Sequence, residues 1–331
     1  MYLEEKQMKK CLIRVALSDE GMKKAVDMLD SMYETVICIN DGKLLPFSED
    51  DIRDAEVIIG NPSMKSLAAA KSLRWLQLSS SGADQYVTSG LIDPARTVLT
   101  NATGAYGHGI SEYMIAGVFA LIKNLHLYRD NQNRSVWKDM GSISTVNGSK
   151  VLIVGYGDIG SHFGEKMHAL GADIYAVKRR STGLPSFVNG PYSLDDVNSL
   201  LPQMDIVALC LPNTSSTAGF FDSERFSLMK EGSVLINVGR GNAVDPDALL
   251  NALKEGKIHG AVLDVTEPEP LPSDSELWKQ KNLLITPHIS GGNHSRETVE
   301  TIESIILENI SRFVSGKDLI NKVDFSTGYR D

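Results

Sequence analysis

The sequence predicts an α/β protein made of two doubly wound parallel-sheet domains, and three observations lead to this fold class. The chain has 331 residues, more than one ordinary hydrophobic core accommodates. Short apolar runs alternate with amphipathic stretches through the N-terminal part, and a second alternation begins at Lys150. Alternating strands and helices are typical of a mostly parallel sheet that is covered by helices on both faces.

In the first alternation, runs rich in Ile, Val and Leu predict strands, and stretches with helical spacing predict helices. We expect strands at Leu12–Leu17, Val36–Ile39, Val57–Gly60, Trp75–Ser79 and Val98–Thr100, with helices at Glu20–Leu29 and Met64–Lys71. One long helix is expected from about Ser111 to Arg129, because apolar residues recur there at helical spacing, namely Met114, Val118, Leu121 and Leu125.

The second alternation predicts another parallel sheet. Strands are expected at Val151–Val154, Ile174–Val177, Ile206–Leu209, Val234–Val238, Ala261–Val265 and Leu283–Thr286, with helices at Ile159–Leu170, Pro246–Lys254 and Arg296–Val314. The segment Thr266–Pro272 contains three prolines, so we expect an irregular loop there.

Composition argues against several classes of function. The formal charge of −9 disfavours a polyanion-binding surface, so no nucleic-acid or membrane partner is expected. Cys11, Cys38 and Cys210 lie far apart in apolar runs, which suits neither a zinc site nor a disulfide framework, and no metal is expected. Met1–Lys10 is polar, and the longest uncharged apolar run, Tyr113–Ile122, is shorter than the roughly 20 residues that cross a bilayer. These features predict a cytoplasmic protein.

A glycine motif follows the first strand of the second alternation. Its G-x-G-x-x-G pattern lies between a predicted strand and a predicted helix and consists of Gly155, Tyr156, Gly157, Asp158, Ile159 and Gly160. The first glycine permits a tight turn, the second lets the backbone approach a pyrophosphate, and the third packs helix against strand. The helix N-terminus then offers N–H groups and a positive dipole to the phosphates. A glycine-rich turn without a ligand is the alternative, but another predicted strand follows, as a dinucleotide-binding Rossmann domain requires.

The end of that next strand bears on the choice of cofactor. An NAD-preferring site usually has an acidic residue there, which accepts hydrogen bonds from the ribose hydroxyl groups. This sequence instead has Lys178, Arg179 and Arg180. Cationic side chains bind a 2′-phosphate, so NADP is the expected cofactor, with NAD as the alternative if these residues form only a solvated basic turn.

Three later stretches carry residues suited to the chemistry of 2-oxo acids. Each begins at the end of a predicted strand, and they contain Arg240, Glu269 and His288. Arg240 is suited to bind a carboxylate through two parallel hydrogen bonds, and His288 is suited to donate a proton to a carbonyl oxygen. Glu269 beside His288 would hold its tautomer and favour the protonated ring. Singly, these residues could also be a surface ion-pair partner, a solvated loop residue and a strand cap.

At these residues the sequence resembles the D-isomer-specific 2-hydroxyacid dehydrogenase family, which includes phosphoglycerate dehydrogenases and glyoxylate/hydroxypyruvate reductases. The resemblance covers nearly the whole chain. Beyond the stretches above it includes Ser79–Asp84, Asn101–Gly104, Ile110–Tyr113 and the tail from Asn321.

The resemblance implies roles for individual residues. Arg240 matches the substrate-binding arginine, Glu269 the glutamate that orients the histidine, and His288 the acid/base histidine. Asp264 matches a residue that contacts the nicotinamide end of the cofactor, and Ser81 and Gly82 match a loop whose backbone N–H groups hold the substrate carboxylate. The expected cofactor site also includes Leu211, Pro212, Val238, Gly239 and Gly291.

The resemblance also implies a discontinuous arrangement of domains. Residues 1–100 and 292–331 should form a flavodoxin-like substrate domain, and residues 101–291 the Rossmann dinucleotide-binding domain. The active site is expected in the cleft between them, with hinges near Asn101 and Gly291, and the family usually forms homodimers through the cofactor domain.

The leading functional hypothesis is a reductase of small 2-oxo acids to D-2-hydroxy acids. A catalytically silent NAD(P)-sensing binding protein of the same fold is the alternative. Formate dehydrogenase is disfavoured, because formate oxidation exchanges no substrate proton and would leave a Glu–His pair without a task. The particular hydroxy acid stays open.

Overall fold

The structure, a computed structural model, describes residues 9–40, 43–179, 183–292, 295–326 and the backbone of 329–330. The chain divides into two compact units. The first unit draws its residues from 1–105 and 292–331, and the second from 106–291.

The N-terminal part of the first unit alternates strands and helices. Its elements are β1 (Lys9–Arg14), α1 (Asp19–Leu29), β2 (Tyr33–Ile37), β3 (Ile39–Asn40), β4 (Lys43–Leu44), α2 (Glu49–Asp54), β5 (Ala55–Gly60), α3 (Met64–Ala69), β6 (Trp75–Gln77), α4 (Asp84–Thr88) and β7 (Val98–Thr100). Five strands pair in parallel in the order β2-β1-β5-β6-β7, while β3 and β4 form a small antiparallel pair. The central strands are almost wholly apolar because helices cover both faces of a parallel sheet.

The second unit begins with two helices and continues as a seven-stranded parallel sheet. Its elements are α5 (Gly107–Ile122), α6 (Leu125–Asn133), β8 (Lys150–Val154), α7 (Asp158–Ala169), β9 (Asp173–Val177), β10 (Val188–Tyr192), α8 (Val197–Leu200), β11 (Ile206–Leu209), α9 (Ser223–Leu228), β12 (Ser233–Asn237), α10 (Pro246–Lys254), β13 (Ile258–Leu263) and β14 (Leu283–Ile285). The strand order is β10-β9-β8-β11-β12-β13-β14. The order reverses between β8 and β11, which is where open α/β sheets bind ligands.

The C-terminal segment returns to the first unit. It contains α11 (Arg296–Val314) and the antiparallel pair β15 (Val323–Asp324) and β16 (Tyr329–Arg330). Asn309 of α11 is fully buried, and its amide nitrogen donates to Gln77 Oε1 of β6 at 2.7 Å. Thr100 of β7 donates to the same Gln77 oxygen at 2.8 Å. This buried polar network joins α11 to the sheet.

The predicted fold class is confirmed, since both units contain a doubly wound parallel sheet. The single long helix expected from Ser111 to Arg129 is wrong, because α5 ends at Ile122 and α6 begins at Leu125. Between them Asn124 adopts a left-handed conformation with φ of 55° and donates from its amide to Ser142 O at 3.2 Å. Asparagine tolerates this conformation better than most residues do, and it interrupts the helix.

Among the strands of the two parallel sheets, β10 was not predicted, and neither were the short antiparallel strands β4, β15 and β16. Strand β10 forms the outer edge of the second sheet and contains Gly190 and Pro191. Proline is tolerated there because an edge strand leaves some N–H groups outside the ladder. Within the described residues, no helix is both long enough and apolar enough to cross a membrane.

Candidate active site

The glycine loop lies between β8 and α7, at the strand reversal of the second sheet. Gly155 has a φ of 102°, and a Cβ there would lie 2.6 Å from Cys210 O, so only glycine fits this turn. A Cβ on Gly160 would collide with Gly155 O and Ile153, which explains the close approach of helix and strand.

Gly157 differs from its two neighbours in the motif. A Cβ at Gly157 would meet nothing within 4 Å, so the second glycine borders open space. Helix α7 starts at the next residue, and its first internal hydrogen bond runs from Ser161 N to Gly157 O at 2.9 Å. The N–H groups of the first turn, from Asp158 to Gly160, therefore precede this ladder. The loop fits a dinucleotide pyrophosphate at a helix N-terminus.

The turns after β11 and β12 adjoin the glycine loop. Leu211 is buried, and Thr217 Oγ1 donates to Pro212 O at 2.6 Å, which fixes the turn after β11. Val238 is buried, and a Cβ on Gly239 would collide with Leu211 O. These predicted cofactor residues line neighbouring strand ends beside the glycine loop, whose Gly155 packs against Cys210 O.

The basic turn follows β9. Lys178 N donates to Tyr192 O of β10 at 3.0 Å, and the Lys178 side chain is partly buried whereas Arg179 is exposed. Arg180, the third predicted residue, lies outside the described residues. The turn therefore presents cationic side chains at the strand end where a ribose is bound in this fold.

Asn237, the last residue of β12, shapes the loop that carries Arg240. Its amide nitrogen donates to Arg240 O at 2.9 Å, and its Oδ1 accepts from Gly239 N at 3.1 Å. Arg240 is half-buried and donates to Gly239 O at 2.8 Å. The next residue, Gly241, packs directly on the backbone of Thr266, so the Arg240 loop adjoins the start of the loop that carries Glu269.

His288 and Glu269 are in direct contact. His288 Nδ1 and Glu269 Oε1 are 2.7 Å apart, and both side chains are about half exposed. His288 has a φ of 53°, a left-handed conformation that few non-glycine residues adopt. The carboxylate fixes the ring at Nδ1, so the other nitrogen, Nε2, is the one placed to exchange a proton.

Asp264, immediately after β13, holds the backbone of His288 and of the two residues that follow it. His288 N donates to Asp264 O at 2.8 Å, and the Asp264 carboxylate accepts from the backbone N–H groups of Ile289 at 2.9 Å and Ser290 at 3.0 Å. The hydroxyls of Ser290 and Thr286 donate to it as well, at 2.5 and 2.6 Å. Asp264 is 1% exposed. Its carboxylate accepts four hydrogen bonds, which use most of the lone pairs that two carboxylate oxygens offer. Its predicted contact with the cofactor stays a prediction.

Sequence reasoning missed Thr286 and the role of Tyr113. The Tyr113 hydroxyl lies 2.6 Å from Thr286 Oγ1, which connects α5 to Asp264. Burial raises the pKa of Tyr113 to about 12, and the neutral hydroxyl is the form that shares this hydrogen bond. The signal was present, because Thr286 directly precedes the Pro–His pair at the end of β14. Gly291 lies near α5 as well, since a Cβ there would approach Tyr106 at 3.0 Å.

Ser81 and Gly82, whose backbone N–H groups are predicted to hold the substrate carboxylate, lie in the first unit, in the loop after β6. Ser81 Oγ lies 3.1 Å from Thr103 Oγ1, and Ser81 O accepts from Asn101 Nδ2 at 2.8 Å. Among the described residues, the backbone N–H groups of Ser81 and Gly82 donate to no protein acceptor. Adjacent N–H groups of this kind suit an anion.

The second unit combines a Rossmann sheet, a glycine loop at its strand reversal and a hydrogen-bonded His–Glu pair in the segments that follow β13 and β14. This combination defines a nicotinamide-dinucleotide-dependent oxidoreductase.

Comparison with known proteins gives the family. Residues 115–290 match the sequence profile of the D-isomer specific 2-hydroxyacid dehydrogenase NAD binding domain. A family protein from Aeromonas salmonicida is 31% identical, with a TM-score of 0.79 over 96% of this chain and 99% of that one. A second, from Xanthobacter autotrophicus and solved with NADPH and MES, is 25% identical, with a TM-score of 0.78 over 97% and 100% of the two chains. Glyoxylate/hydroxypyruvate reductase A of Salmonella paratyphi B is 29% identical over 67% of this chain and 70% of its own. The chain belongs to the D-isomer specific 2-hydroxyacid dehydrogenase family.

Proposed function

We propose that this protein reduces small 2-oxo acids to D-2-hydroxy acids, with NADPH as the preferred cofactor. The observation that carries the proposal is the 2.7 Å hydrogen bond between His288 Nδ1 and Glu269 Oε1 at a strand end of the cofactor-binding unit. A histidine anchored in this way is a proton donor of fixed tautomer, which carbonyl reduction requires.

In the proposed reaction, different residues bind the substrate and transfer the proton. Arg240 binds the substrate carboxylate and carbonyl through its planar guanidinium, and the N–H groups of Ser81 and Gly82 bind the carboxylate. His288 donates a proton from Nε2 to the carbonyl oxygen, while Glu269 stabilises the imidazolium and holds its orientation. When bound, the nicotinamide ring supplies the hydride that reduces the carbonyl carbon.

Two groups of residues are proposed to bind the cofactor. The glycine loop from Gly155 to Gly160 holds the pyrophosphate, and Leu211, Pro212, Val238, Gly239, Asp264 and Gly291 lie along the nucleotide and the nicotinamide. Lys178, Arg179 and Arg180 bind the 2′-phosphate of NADP. Two features support this preference, namely the absence of a carboxylate at the end of β9 and the NADPH bound to the Xanthobacter relative.

A homodimer is part of the proposal. Helix α6 and the segment that follows it expose several apolar side chains, namely Leu125, Val136, Trp137 and Ile143. Trp137 is fully exposed, which is costly for so large an aromatic ring unless a partner covers it. Sedimentation of the wild type and of Trp137→Glu tests this: a dimer that the substitution dissociates supports the proposal, and a wild-type monomer refutes it.

One substrate panel tests the enzymatic proposal. NADPH and NADH oxidation is followed with glyoxylate, hydroxypyruvate, pyruvate, phenylpyruvate and 2-oxoisocaproate, and the hydroxy acid formed is assigned as D or L. We expect turnover of at least one of the short oxo acids, with glyoxylate and hydroxypyruvate suggested by the Salmonella relative. Nucleotide binding without turnover of any oxo acid would instead favour the NAD(P)-sensing alternative.

A further inference from the structure

Asn61, the first residue after β5, reaches the neighbouring loop after β6. Its Oδ1 accepts two hydrogen bonds at 2.9 Å, one from Ser79 N and one from Ser79 Oγ. Its Nδ2 donates to Ser80 Oγ, also at 2.9 Å. One amide side chain therefore fixes two consecutive residues of the loop that continues into Ser81 and Gly82.

In this loop three carbonyl oxygens accept hydrogen bonds, whereas two backbone N–H groups have no acceptor among the described residues. The carbonyl oxygens of three consecutive residues each accept a hydrogen bond: Ser80 O from Ala102 N at 3.0 Å, Ser81 O from Asn101 Nδ2 at 2.8 Å, and Gly82 O from Ser80 Oγ at 2.8 Å. The N–H groups of Ser81 and Gly82 have no acceptor among the described residues. Satisfied carbonyls beside available N–H groups are what a bound anion requires, because an unpaired carbonyl oxygen would repel it.

Asn61 supports this arrangement without being placed as a ligand itself. Both lone pairs of its side-chain oxygen are used by Ser79, and its backbone oxygen accepts from Arg14 Nη1 at 3.2 Å. The Ser80 hydroxyl that it contacts is the donor to Gly82 O, so the amide orients that hydroxyl away from itself.

We propose that Asn61 is a positioning residue for substrate binding, which sets the Ser81 and Gly82 N–H groups in place for the carboxylate of a 2-oxo acid. This inference rests on the proposed function. It assigns to Asn61 an effect on the affinity for the oxo acid and none on the affinity for the cofactor, which binds in the other unit.

Two substitutions separate this role from a purely structural one. Asn61→Leu removes all three side-chain hydrogen bonds at similar volume. Asn61→Asp keeps the acceptor for Ser79 but adds a negative charge next to the anion site. Ser63→Ala is the matched control, because Ser63 lies in the same loop as Asn61 and caps α3 by accepting from Ser66 N, and among the described residues it makes no hydrogen bond to Ser79 or Ser80.

The measurements are kcat and KM for glyoxylate and hydroxypyruvate at saturating NADPH, KM for NADPH, and the thermal midpoint. We expect Asn61→Leu to raise the KM for the oxo acid about ten-fold or more, with kcat and the KM for NADPH within about three-fold. Asn61→Asp should raise the oxo acid KM at least as much, although it keeps more hydrogen bonds. Ser63→Ala should leave every kinetic constant near wild type.

The outcomes distinguish the two proposals. An active wild type whose oxo acid KM is unchanged in both Asn61 variants overturns the inference and leaves the proposed function standing. So does a parallel loss of kcat, cofactor affinity and thermal midpoint, or an Asn61→Asp variant that is milder than Asn61→Leu. A wild type that reduces no 2-oxo acid overturns the proposed function and this inference together.

Discussion

Asp264 and His288 are linked twice, once through the backbone and once through the residues that flank the histidine. His288 N donates to Asp264 O at 2.8 Å, while the Asp264 carboxylate holds the N–H groups of Ile289 and Ser290. The acid/base candidate thus lies in a backbone segment that is hydrogen-bonded to the buried Asp264, immediately after β13, and His288 itself has a left-handed conformation.

Substitution of His288 by asparagine should abolish most activity while preserving the fold. Asparagine tolerates the φ of 53° at this position, so the backbone should not change. We expect kcat to fall on the order of 10²- to 10⁴-fold, as for loss of a general acid. Glu269→Gln should have a smaller effect, and in the double mutant it should add almost nothing, because Glu269 acts through His288. Additive losses in steady-state kinetics would contradict that dependence.

Substitution of Arg240 by lysine should impair substrate binding, since an ammonium group cannot reproduce the two-point contact of a guanidinium. We expect kcat/KM for the oxo acid to fall by about 100-fold, and the dissociation constant of NADPH, measured by fluorescence titration, to change by no more than a few-fold. Wild-type kcat/KM in Arg240→Lys would remove Arg240 from the substrate site.

Substitution of Thr286 by valine should destabilise the protein and slow catalysis together. The variant takes one donor from the buried Asp264 carboxylate and the partner from the Tyr113 hydroxyl, at a cost of about 1–3 kcal/mol. Urea unfolding and kcat are the measurements. Tyr113→Phe is the matched control: it removes only the outer hydroxyl, so it should affect both quantities less. If Thr286→Val matched wild type in kcat, the contacts of Thr286 would have no part in placing His288.

Substitution of Lys178 by aspartate should shift the cofactor preference toward NADH. A carboxylate accepts hydrogen bonds from ribose hydroxyls and repels a 2′-phosphate, so the ratio of kcat/KM for NADPH over NADH should drop by at least about ten-fold. Arg179→Ala, which removes a cation without adding an acceptor, should weaken NADPH use with little gain for NADH. An unaltered ratio in both variants would make the turn a solvated surface.

The fold should lose stability between pH 10 and 12 as buried tyrosines ionise. Burial is the main cause that raises the pKa from 10.0 to about 12 for Tyr33, Tyr86, Tyr106, Tyr113 and Tyr156. A folded pKa above the unfolded one gives stability that is complete below pH 10 and is lost as the pH rises toward 12. Alkaline unfolding, followed by circular dichroism and by absorbance of tyrosinate, measures this.

Tyr156→Phe provides the control for the alkaline prediction. Among the described residues its hydroxyl is buried without a hydrogen-bond partner, so removing it should cost nothing near pH 8. The variant should lose less stability than wild type between pH 10 and 12. An equal loss in both proteins would mean that Tyr156 does not contribute to the alkaline transition.

The central strands of both sheets could be predicted because buried strands consist almost entirely of apolar residues. Runs such as Val151–Val154 and Ile206–Leu209 are apolar on both faces, as strands between two helix layers must be. The edge strand β10 could not, since an exposed strand with Gly190 and Pro191 has neither apolar continuity nor alternation. The interruption at Asn124 escaped prediction for another reason: the apolar spacing continues across it, and the hydrogen bond from Asn124 to Ser142 O, which accompanies the left-handed conformation, is not visible in that spacing.

The sequence indicates which residues are candidates for the site, but it does not indicate how the structure holds them. Strand ends and residue type indicate Arg240, Glu269 and His288. Loops from different strands meet at the contacts of Asp264, Thr286 and Asn61. These contacts depend on the strand order, which local periodicity in the sequence does not predict. The hydrogen bonds that these residues make become visible only in the three-dimensional structure.

The return of α11 to the first sheet has a consequence for folding during translation. The strands of the first sheet are synthesised before residues 106–291, yet Gln77 in that sheet contacts its buried partner Asn309 only after those residues have been synthesised. Residues 106–291, in contrast, are continuous and have all emerged before α11 does. Because domains generally fold as units during translation, we expect the continuous nucleotide-binding unit to fold before the discontinuous first unit, which is complete only once α11 has been synthesised.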